Sequence, residues 1–371
     1  MKTIAIIGAS YLQRPLVEKA NQMGLRTICF AWSDGAVCRG ICDTFYDISV
    51  VEKDKILQIC QQEQIDAICT IASDVAAPTV AYVAEKMGLV GNSYECSVKA
   101  NNKFLMRNAF VCSGVPCPRY MMVTSVKQAL DSYIQYPLIV KPSDRSGSAG
   151  VTKVENKEQL ITAVDTALNT SFKKEAMIEE FIDGREISVE FISYKGKHYP
   201  LQITDKVTTG APHFVELEHH QPANLPDEMF VKIYEITNKA LDSLGITNGA
   251  SHAEYIITDE GRIVAVEIGG RMGGDFIGSD LVRLSTGYDF VKGVIVVALG
   301  EFEEPKKTIS KYSGIYFLCK DTKRIKPIID SWECNPVFIE GKITDKDLRN
   351  VTCSADRSGY IIYRNDSKVE I

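Results

Sequence analysis

Two glutamates on neighbouring predicted strands have the clearest capacity for chemistry in this 371-residue chain. Residues 251–275 read SHAEYIITDEGRIVAVEIGGRMGGD, which predicts a β-hairpin whose two-residue loop is Glu260-Gly261. With that loop, Glu254 faces Glu267 and Ile256 faces Ala265 across the hairpin. The other side then carries a core face, made of Ala253, Tyr255, Ile257, Val264, Val266 and Ile268.

Directly opposed carboxylates favour a bound cation. Cross-strand Cβ atoms lie about 4.5–5.5 Å apart, where like charges repel. Mg²⁺ relieves the repulsion, because it binds one or two protein carboxylates together with substrate phosphate oxygens. The hairpin therefore indicates a nucleotide-phosphate site. Two alternatives stay open: an exposed, solvated pair, or a three-residue loop with Gly261 in a bulge, which would shift the register and separate the glutamates.

A loop rich in glycine and serine follows an apolar strand that ends at Lys141. Its small residues are Ser143, Ser146, Gly147, Ser148 and Gly150. Such residues let backbone N–H groups approach phosphate oxygens, and the lysine adds a positive charge. Because Lys141 precedes the glycines, the pattern is not a Walker A motif. A hairpin tip without function would have a similar sequence.

Acidic residues surround a turn at Gly184. Glu179 and Glu180 end an apolar strand, and Glu186 begins the next. An apolar segment with acidic ends can hold an adenine through backbone groups and a ribose through a carboxylate. A charged hairpin on the surface has the same composition.

Two further cations could neutralise charge on a transferred phosphoryl group or an acyl phosphate. Lys206 follows the predicted strand 201–204, and Arg271 lies between two Gly-Gly pairs, where the backbone can approach a ligand. Considered alone, Lys206 would be a surface lysine.

Composition excludes several classes of partner. The 42 basic and 48 acidic residues nearly balance, and no basic run indicates nucleic acid. No apolar stretch approaches the ~20 residues that cross a bilayer, so no membrane partner is expected. The 11 cysteines lack the spacing of a zinc site and favour a reducing, cytoplasmic environment.

The first 100 residues alternate strands and helices, which predicts a parallel α/β sheet with right-handed crossovers. Ligands of such sheets bind at the carboxyl ends of strands, here at Gly8-Ala9-Ser10 and Ser73-Asp74. The first of these turns lacks the glycines of a dinucleotide-binding motif. Prolines at 116 and 118 indicate the passage to a second domain, and the strand-rich sequence from about 302 predicts a small α+β cap.

The order of these residues along the whole chain resembles the ATP-grasp superfamily. The ordered set is Lys103, Lys141 with its glycine loop, Glu179 to Glu186, Lys206, and Glu254 and Glu267 with Arg271. The resemblance implies α/β plus α+β architecture, with a parallel-sheet pre-ATP-grasp domain at 1–100 and a strand-rich cap at 302–371. Between them would lie an ATP-grasp domain at 101–301, divided into subdomains at 118–182 and 183–301.

Roles for individual residues follow from the resemblance. The phosphate-binding set would be Lys103, Lys141, Ser146, Gly147 and Ser148. The adenine pocket would be lined by Glu179, Glu180 and Ile182, and Glu186 would hold the ribose. Glu254 and Glu267 would bind Mg²⁺, for which Mn²⁺ is a possible substitute. Arg271 and Lys206 would be catalytic, and the substrate contacts would be Arg271, Gly274, Asp275 and His220.

The resemblance implies an ATP- and Mg²⁺-dependent carboxylate–amine ligase that acts on small molecules, with a homodimer as a candidate assembly. With His252-x-Glu254 and the segment RMGGD, the chain is more similar to L-amino-acid ligases and carbamoyl-phosphate-synthase-like members than to D-alanine–D-alanine ligases. One departure is Gly269, because the family often carries a metal-ligating asparagine at this position. The alternatives are an enzyme that activates bicarbonate or formate, and an ATP-binding regulatory module without catalysis.

Overall fold

Three β-sheets are formed in residues 1–145 and 150–371, the part of the chain that the computed structural model describes. The predicted phosphate-loop residues Ser146, Gly147 and Ser148 lie outside these described residues. The strands are β1 (Thr3–Ile7), β2 (Arg26–Ala31), β3 (Thr44–Asp47), β4 (Ala67–Cys69), β5 (Tyr120–Val123), β6 (Leu138–Pro142), β7 (Thr152–Val154), β8 (Ala176–Glu180), β9 (Arg185–Tyr194), β10 (Lys197–Thr208), β11 (Glu216–Gln221), β12 (Gly249–Ile257), β13 (Ile263–Gly269), β14 (Tyr312–Leu318), β15 (Phe338–Ile343) and β16 (Gly359–Asn365).

Helices cover the faces of these sheets. They are α1 (Arg14–Gln22), α2 (Lys53–Gln62), α3 (Ala77–Met87), α4 (Tyr94–Ala100), α5 (Lys103–Ser113), α6 (Val126–Leu130), α7 (Lys157–Thr170), α8 (Asp227–Leu244), α9 (Val282–Thr286), α10 (Phe290–Ala298) and α11 (Lys326–Asp330). Among the helices that the structure describes, none combines the length and apolarity that crossing a membrane would require.

The N-terminal sheet is parallel, with strand order β3-β2-β1-β4, as the alternating sequence predicts. Every residue of β1 is buried, because helices cover both faces. The carboxyl ends of β1 and β4 lie side by side, with Ile6 paired to Cys69. The turns at Gly8 and Asp74 therefore lie next to each other at the carboxyl ends of these strands.

An antiparallel sheet of order β5-β8-β6-β7 carries Lys141 and Glu179. Lys141 is in β6 and pairs in register with Met177, while Glu179 in β8 pairs with Ile139. Helices α6 and α7 pack on one face through a core that includes Leu160 and Val164. The other face is available to a ligand.

The largest sheet has the order β13-β12-β9-β10-β11-β14-β16-β15 and is antiparallel throughout. Its strands β9, β10, β12 and β13 carry Glu186, Lys206, Glu254 and Glu267. Lys206 lies within β10, whereas the sequence predicts that the strand ends before it. The strands after residue 302 join this sheet through the pairing of β11 with β14.

The hairpin of β12 and β13 places Glu254 opposite Glu267, as predicted. The pairing of the residues nearer the loop differs from the prediction. Nearer the loop Ile256 pairs with Val264, so the predicted Ile256–Ala265 pair is wrong. The register shifts at a bulge between these two levels, where the Ala265 N–H donates to Pro116 O at 2.8 Å.

The bulge also corrects the predicted core face. Ile263 and Ala265 are buried in the core beneath α8, in place of the predicted Val264 and Val266. Val266 instead lines the cleft beside Glu267. The loop therefore has the register of the three-residue alternative, and the bulge cancels that one-residue shift before the glutamates.

Candidate active site

A cleft of about 590 Å³ lies between the four-stranded and eight-stranded antiparallel sheets. Its volume is in the range of roughly 300–1,000 Å³ that is usual for small-molecule sites. The predicted site residues that line it are Lys103, Lys141, Glu179, Glu180, Ile182, Glu186, Lys206, Glu254 and Glu267. The fold therefore brings together side chains that are spread over 165 positions of sequence.

One end of the cleft has surplus positive charge. Glu179 lies 2.7 Å from Lys141 Nζ and 3.0 Å from Arg107 Nε, so one carboxylate neutralises two cations. Burial alone would raise the pKa of Glu179, but Arg107 and Lys141 outweigh it and bring the pKa to about 2. Burial lowers the pKa of Lys141, and the neighbouring Arg107 and Lys103 add to this effect. A phosphate in the cleft would satisfy the unbalanced cation.

Lys103 connects this end to the hairpin. It is the first residue of α5, where the Asn102 side chain caps the helix by accepting from Leu105 N–H. Its Nζ donates to Glu267 Oε1 at 2.7 Å and to Arg145 O at 2.8 Å. The lysine therefore contacts both a predicted metal ligand and the start of the glycine loop.

The other end of the cleft is acidic. Lys206 Nζ lies 2.6 Å from Glu254, 2.9 Å from Glu186 and 3.5 Å from Glu216, so one cation faces three carboxylates. Burial lowers the pKa of Lys206, but these carboxylates outweigh burial and raise it well above its ordinary value. Burial raises the pKa of Glu186. The excess negative charge favours a bound cation.

A buried histidine supports Glu254 from behind. His252 Nε2 lies 3.3 Å from Glu254 Oε1, and its Nδ1 contacts Glu190, which is fully buried. Burial lowers the pKa of His252, but Glu190 and Glu254 outweigh it and raise the pKa to about 9. Glu190 also accepts from the Gly273 N–H at 3.1 Å. This chain joins Glu254 to the glycine-rich turn after β13.

Apolar side chains also line the cleft. Ile139 and Ile182 come from one side, and Ile256 and Val266 come from the hairpin. Glu180 turns its carboxylate toward Arg119 Nε, at 3.2 Å, so its side chain is already paired. The arrangement suits a planar, partly apolar group such as a nucleobase between the sheets.

The two facing glutamates fit a small divalent cation. Both are oxygen donors, and a lysine ammonium contacts each of them at 2.6–2.7 Å, as a stand-in for the cation. Lys206 and His252 hold the pKa of Glu254 well below its ordinary value against the effect of burial, so it remains ionised. Among the described residues no group of three or more His, Cys, Asp or Glu side chains is arranged to hold a metal. Phosphate or water oxygens would therefore complete the coordination, as is usual for Mg²⁺.

The predicted substrate residues lie beyond this cleft. Arg271 pairs with Asp74 of the N-terminal sheet at 2.7 Å. Asp275 accepts from Arg357 Nη2 at 2.8 Å, and with Gly274 it lines a small cavity of about 30 Å³. These residues are at the carboxyl edge of the N-terminal sheet, where the topology predicts ligands.

His219, and not the predicted His220, shares a sheet face with Lys206. Cross-strand partners project to the same side of a sheet, and His219 pairs with Lys206. His220 projects to the other side, where it is 1% exposed and its Nδ1 lies 2.9 Å from Tyr363 Oη. Burial lowers the pKa of His219 to about 3, which leaves its ring neutral.

Replacing His220 with leucine is expected to lower the free energy of unfolding by about 2–3 kcal/mol, because buried partners lose hydrogen bonds. Those partners are Tyr363 and Glu218, at 2.9 and 3.0 Å. Urea unfolding checks the loss, with exposed His213→Leu as the control. The rate of ADP formation per folded molecule should not change. A raised KM for the amine would instead place His220 in the substrate site.

The depressed pKa of Glu179 predicts a loss of stability in acid. Its folded pKa of about 2 lies below its ordinary value of 4.5, so its contribution is complete above pH 4.5 and falls away toward pH 2. Two and a half units correspond to at most about 3 kcal/mol. Glu179→Gln should therefore flatten the fall of unfolding free energy between these pH values. Exposed Glu158→Gln is the control, and equal slopes in all three proteins would contradict the prediction.

Several residues at the site were not predicted from the sequence. Arg107 has helical spacing from Lys103, but nothing local indicates that Glu179 will be its partner. The acids Glu190 and Glu216 contact His252 and Lys206 only through strand pairing. His219 could have been found, because alternation along β11 assigns one of two adjacent histidines to each face.

The sequence profile of the ATP-grasp domain family matches residues 134–280. Alanine–anticapsin ligase from Bacillus subtilis is 28% identical over 245 residues, which cover 60% of this chain and 51% of the relative. D-Alanine–D-alanine ligase from Geobacter sulfurreducens is 27% identical over 254 residues, covering 64% and 77%. The chain spans about half the length of the first curated relatives that it matches.

Solved structures extend the similarity to nearly the whole chain. An L-amino acid ligase from Bacillus licheniformis superposes with a TM-score of 0.82 and 22% identity, covering 99% of this chain and 94% of the other. Phosphoribosylglycinamide synthetase from Anaerococcus prevotii has a TM-score of 0.76 and 21% identity, with the same coverage. Residues 134–280 therefore match the ATP-grasp domain family, and nearly the whole chain has the same fold as these two solved structures.

Proposed function

We propose that this chain is an ATP- and Mg²⁺-dependent ligase that activates a carboxylate, that of an amino acid, and joins it to an amine. The observation that supports this most is the polarity of the 590 Å³ cleft. Its cationic end, at Lys141, suits phosphates, and its acidic end, at Glu254, suits a metal ion.

Each end of the cleft has a defined role in this proposal. Lys103 and Lys141 bind the ATP phosphates. Glu186 holds the ribose, and the apolar side chains of the cleft receive the adenine. Glu254 and Glu267 hold Mg²⁺, which when bound neutralises phosphate charge and helps to orient the γ-phosphoryl group. Mn²⁺ is proposed as a substitute ion.

The proposed reaction has two steps. First, a carboxylate oxygen attacks the γ-phosphorus of ATP, the bond to the β-phosphate oxygen breaks, and an acyl phosphate and ADP form. The amine nitrogen then attacks the acyl carbon, phosphate leaves with the bonding electrons, and the nitrogen loses a proton. The chain contributes positioning and charge neutralisation, with Lys206 and Arg271 beside the developing charges.

The amino-acid assignment rests on the names of the relatives. Alanine–anticapsin ligase, D-alanine–D-alanine ligase and L-amino acid ligase all name amino acids as what they join. We also propose a cytoplasmic location, which agrees with the eleven free cysteines. A homodimer is the proposed assembly, and light scattering of the purified protein tests it.

The decisive experiment measures ADP release from MgATP with amino acids supplied singly and in pairs. Bicarbonate and formate, each with an amine, are included so that the alternative activities are tested in the same assay. We expect ADP and phosphate with at least one pair of amino acids, together with an amide product detected by mass spectrometry. If fluorescent ATP binds but no combination releases ADP above background, the chain is a regulatory module and the proposal is wrong.

A further inference from the structure

A carboxylate of the N-terminal sheet binds the arginine that follows the metal hairpin. Asp74 comes after β4, and Arg271 comes after β13. Arg271 Nε lies 2.7 Å from Asp74 Oδ1, and Nη2 lies 2.7 Å from Oδ2. The two side chains are 15% and 17% exposed. A bidentate pair of this kind fixes the plane of the guanidinium as well as its position.

Glycine at position 269 makes room for this pair. A Cβ atom built on Gly269 would lie 3.0 Å from Asp74 Oδ1 and 3.3 Å from Arg271 Cζ. A side chain at position 269 would project to the same side of β13 as Glu267, because the two positions are separated by one residue. The volume in which the resembled family often carries an asparagine is therefore taken by a carboxylate from another sheet.

The Arg271 guanidinium is fixed by several hydrogen bonds and still has N–H groups that can donate to a ligand. Its Nη1 donates one hydrogen to Met272 O at 3.2 Å, in addition to the two bonds to Asp74. Among the described residues, the second hydrogen on each terminal nitrogen has no protein acceptor. Next to the pair, Ala72 N–H donates to Met272 O at 3.2 Å, so the backbone also joins the two parts of the chain here.

We infer that Asp74 is a positioning residue for Arg271, and that glycine at position 269 leaves the space that the Asp74 carboxylate occupies. Asp74 acts through Arg271 and does not contact the substrate. It orients the two free N–H groups toward the carboxylate or acyl phosphate, and so joins recognition of the acid to the N-terminal sheet. This inference rests on the proposed function for the identity of the ligand, but the geometry of the pair does not depend on it.

The kinetic test compares Asp74→Asn with Glu63→Gln. Glu63 is the matched control, because it follows α2 in the same N-terminal part of the chain, pairs with Arg26 of β2 at 2.8 Å and is 21% exposed, yet does not line the cleft. With the amino acid that the ADP-release screen identifies, Asp74→Asn should raise the KM for that acid about tenfold and leave the KM for ATP within about twofold. Glu63→Gln should change neither constant. An unchanged KM for the acid, or an equal rise in both constants, would show that Asp74 is only structural.

A double-mutant cycle tests the role of Gly269 without any activity. Gly269→Ala should lower the urea midpoint in the wild-type chain, because the new methyl group presses on Asp74. In an Asp74→Ala background the shift should be at most about half as large, because the nearer partner is gone. Equal shifts in the two backgrounds would overturn the claim that glycine is needed for the pair.

Chemical labelling separates failure of this inference from failure of the proposed function. Phenylglyoxal modifies accessible arginines, and mass spectrometry quantifies the peptide that contains Arg271. Labelling should be several-fold faster in Asp74→Asn than in wild type or Glu63→Gln. Equal rates would mean that Asp74 does not hold Arg271, whatever reaction the protein catalyses. A wild-type chain that forms no ADP but shows the expected labelling would refute the ligase and retain the pair.

Discussion

Glu267→Gln is expected to reduce ADP formation by about three orders of magnitude, which corresponds to about 4 kcal/mol of lost transition-state stabilisation. The substitution removes one of the two charges that face each other across the hairpin. The fold should persist, because the amide oxygen of glutamine can still accept from Lys103 Nζ, which lies 2.7 Å from Glu267. The measurement is ADP release at saturating MgATP, alongside the urea midpoint.

Glu260→Gln is the matched control for this change, because Glu260 is an exposed glutamate at the tip of the same hairpin. It should retain wild-type activity and the wild-type response to Mg²⁺. If Glu267→Gln keeps near-normal Mg²⁺-dependent turnover, the metal assignment of the hairpin is wrong. A large drop in the urea midpoint would show instead that the pair with Lys103 is mainly structural.

Arg107→Met is expected to destabilise the protein by about 3–5 kcal/mol, the cost of removing one partner from a buried ion pair. Arg107 is fully buried, and Glu179 is 3% exposed. The substitution also removes the donor to Val266 O, which Arg107 Nη2 contacts at 2.5 Å beside the bulge. Urea unfolding measures the loss, and nucleotide binding by the remaining folded protein should weaken because the hairpin register depends on the bulge.

The chain offers a control one strand position away. Arg119 pairs with Glu180 at 3.2 Å, but the arginine side chain is 56% exposed. Arg119→Met should therefore cost about 1 kcal/mol or less, because exposed ion pairs contribute little. Similar losses for the two substitutions would mean that burial does not set the strength of the Arg107–Glu179 pair.

The sequence was sufficient to predict the parallel N-terminal sheet and nine of the residues that line the cleft. Periodicity and glycine position are local, and they suffice to alternate strands with helices over the first 100 residues. The expected ATP-grasp fold came from a resemblance to that superfamily, which rested on the order of the lysines and glutamates along the chain. Of the thirteen predicted site residues among the described positions, nine line one cavity, and Arg271, Gly274, Asp275 and His220 do not.

What could not be predicted depends on contacts between distant segments. The register of the hairpin is set by Pro116 and Arg107, which lie about 150 residues before it in sequence. Neither a two-residue loop nor a three-residue loop therefore predicts the whole register of the hairpin on its own. The same limit applies to Arg271, whose partner Asp74 belongs to a different sheet. His219 and His220 differ by one position, which in a strand reverses the face, and the structure places His219 on the face of Lys206.

The pairing of β11 with β14 determines where this chain can be shortened. A shortened chain that ended near residue 301 would keep every cleft residue named above, but it would leave β11 as an open edge where Glu218 to Gln221 now pair with Ser313 to Tyr316. Unpaired edges of this kind associate with other chains. A shorter chain that keeps the cleft must therefore include the last 70 residues, even though none of the described residues that line the cleft belongs to them.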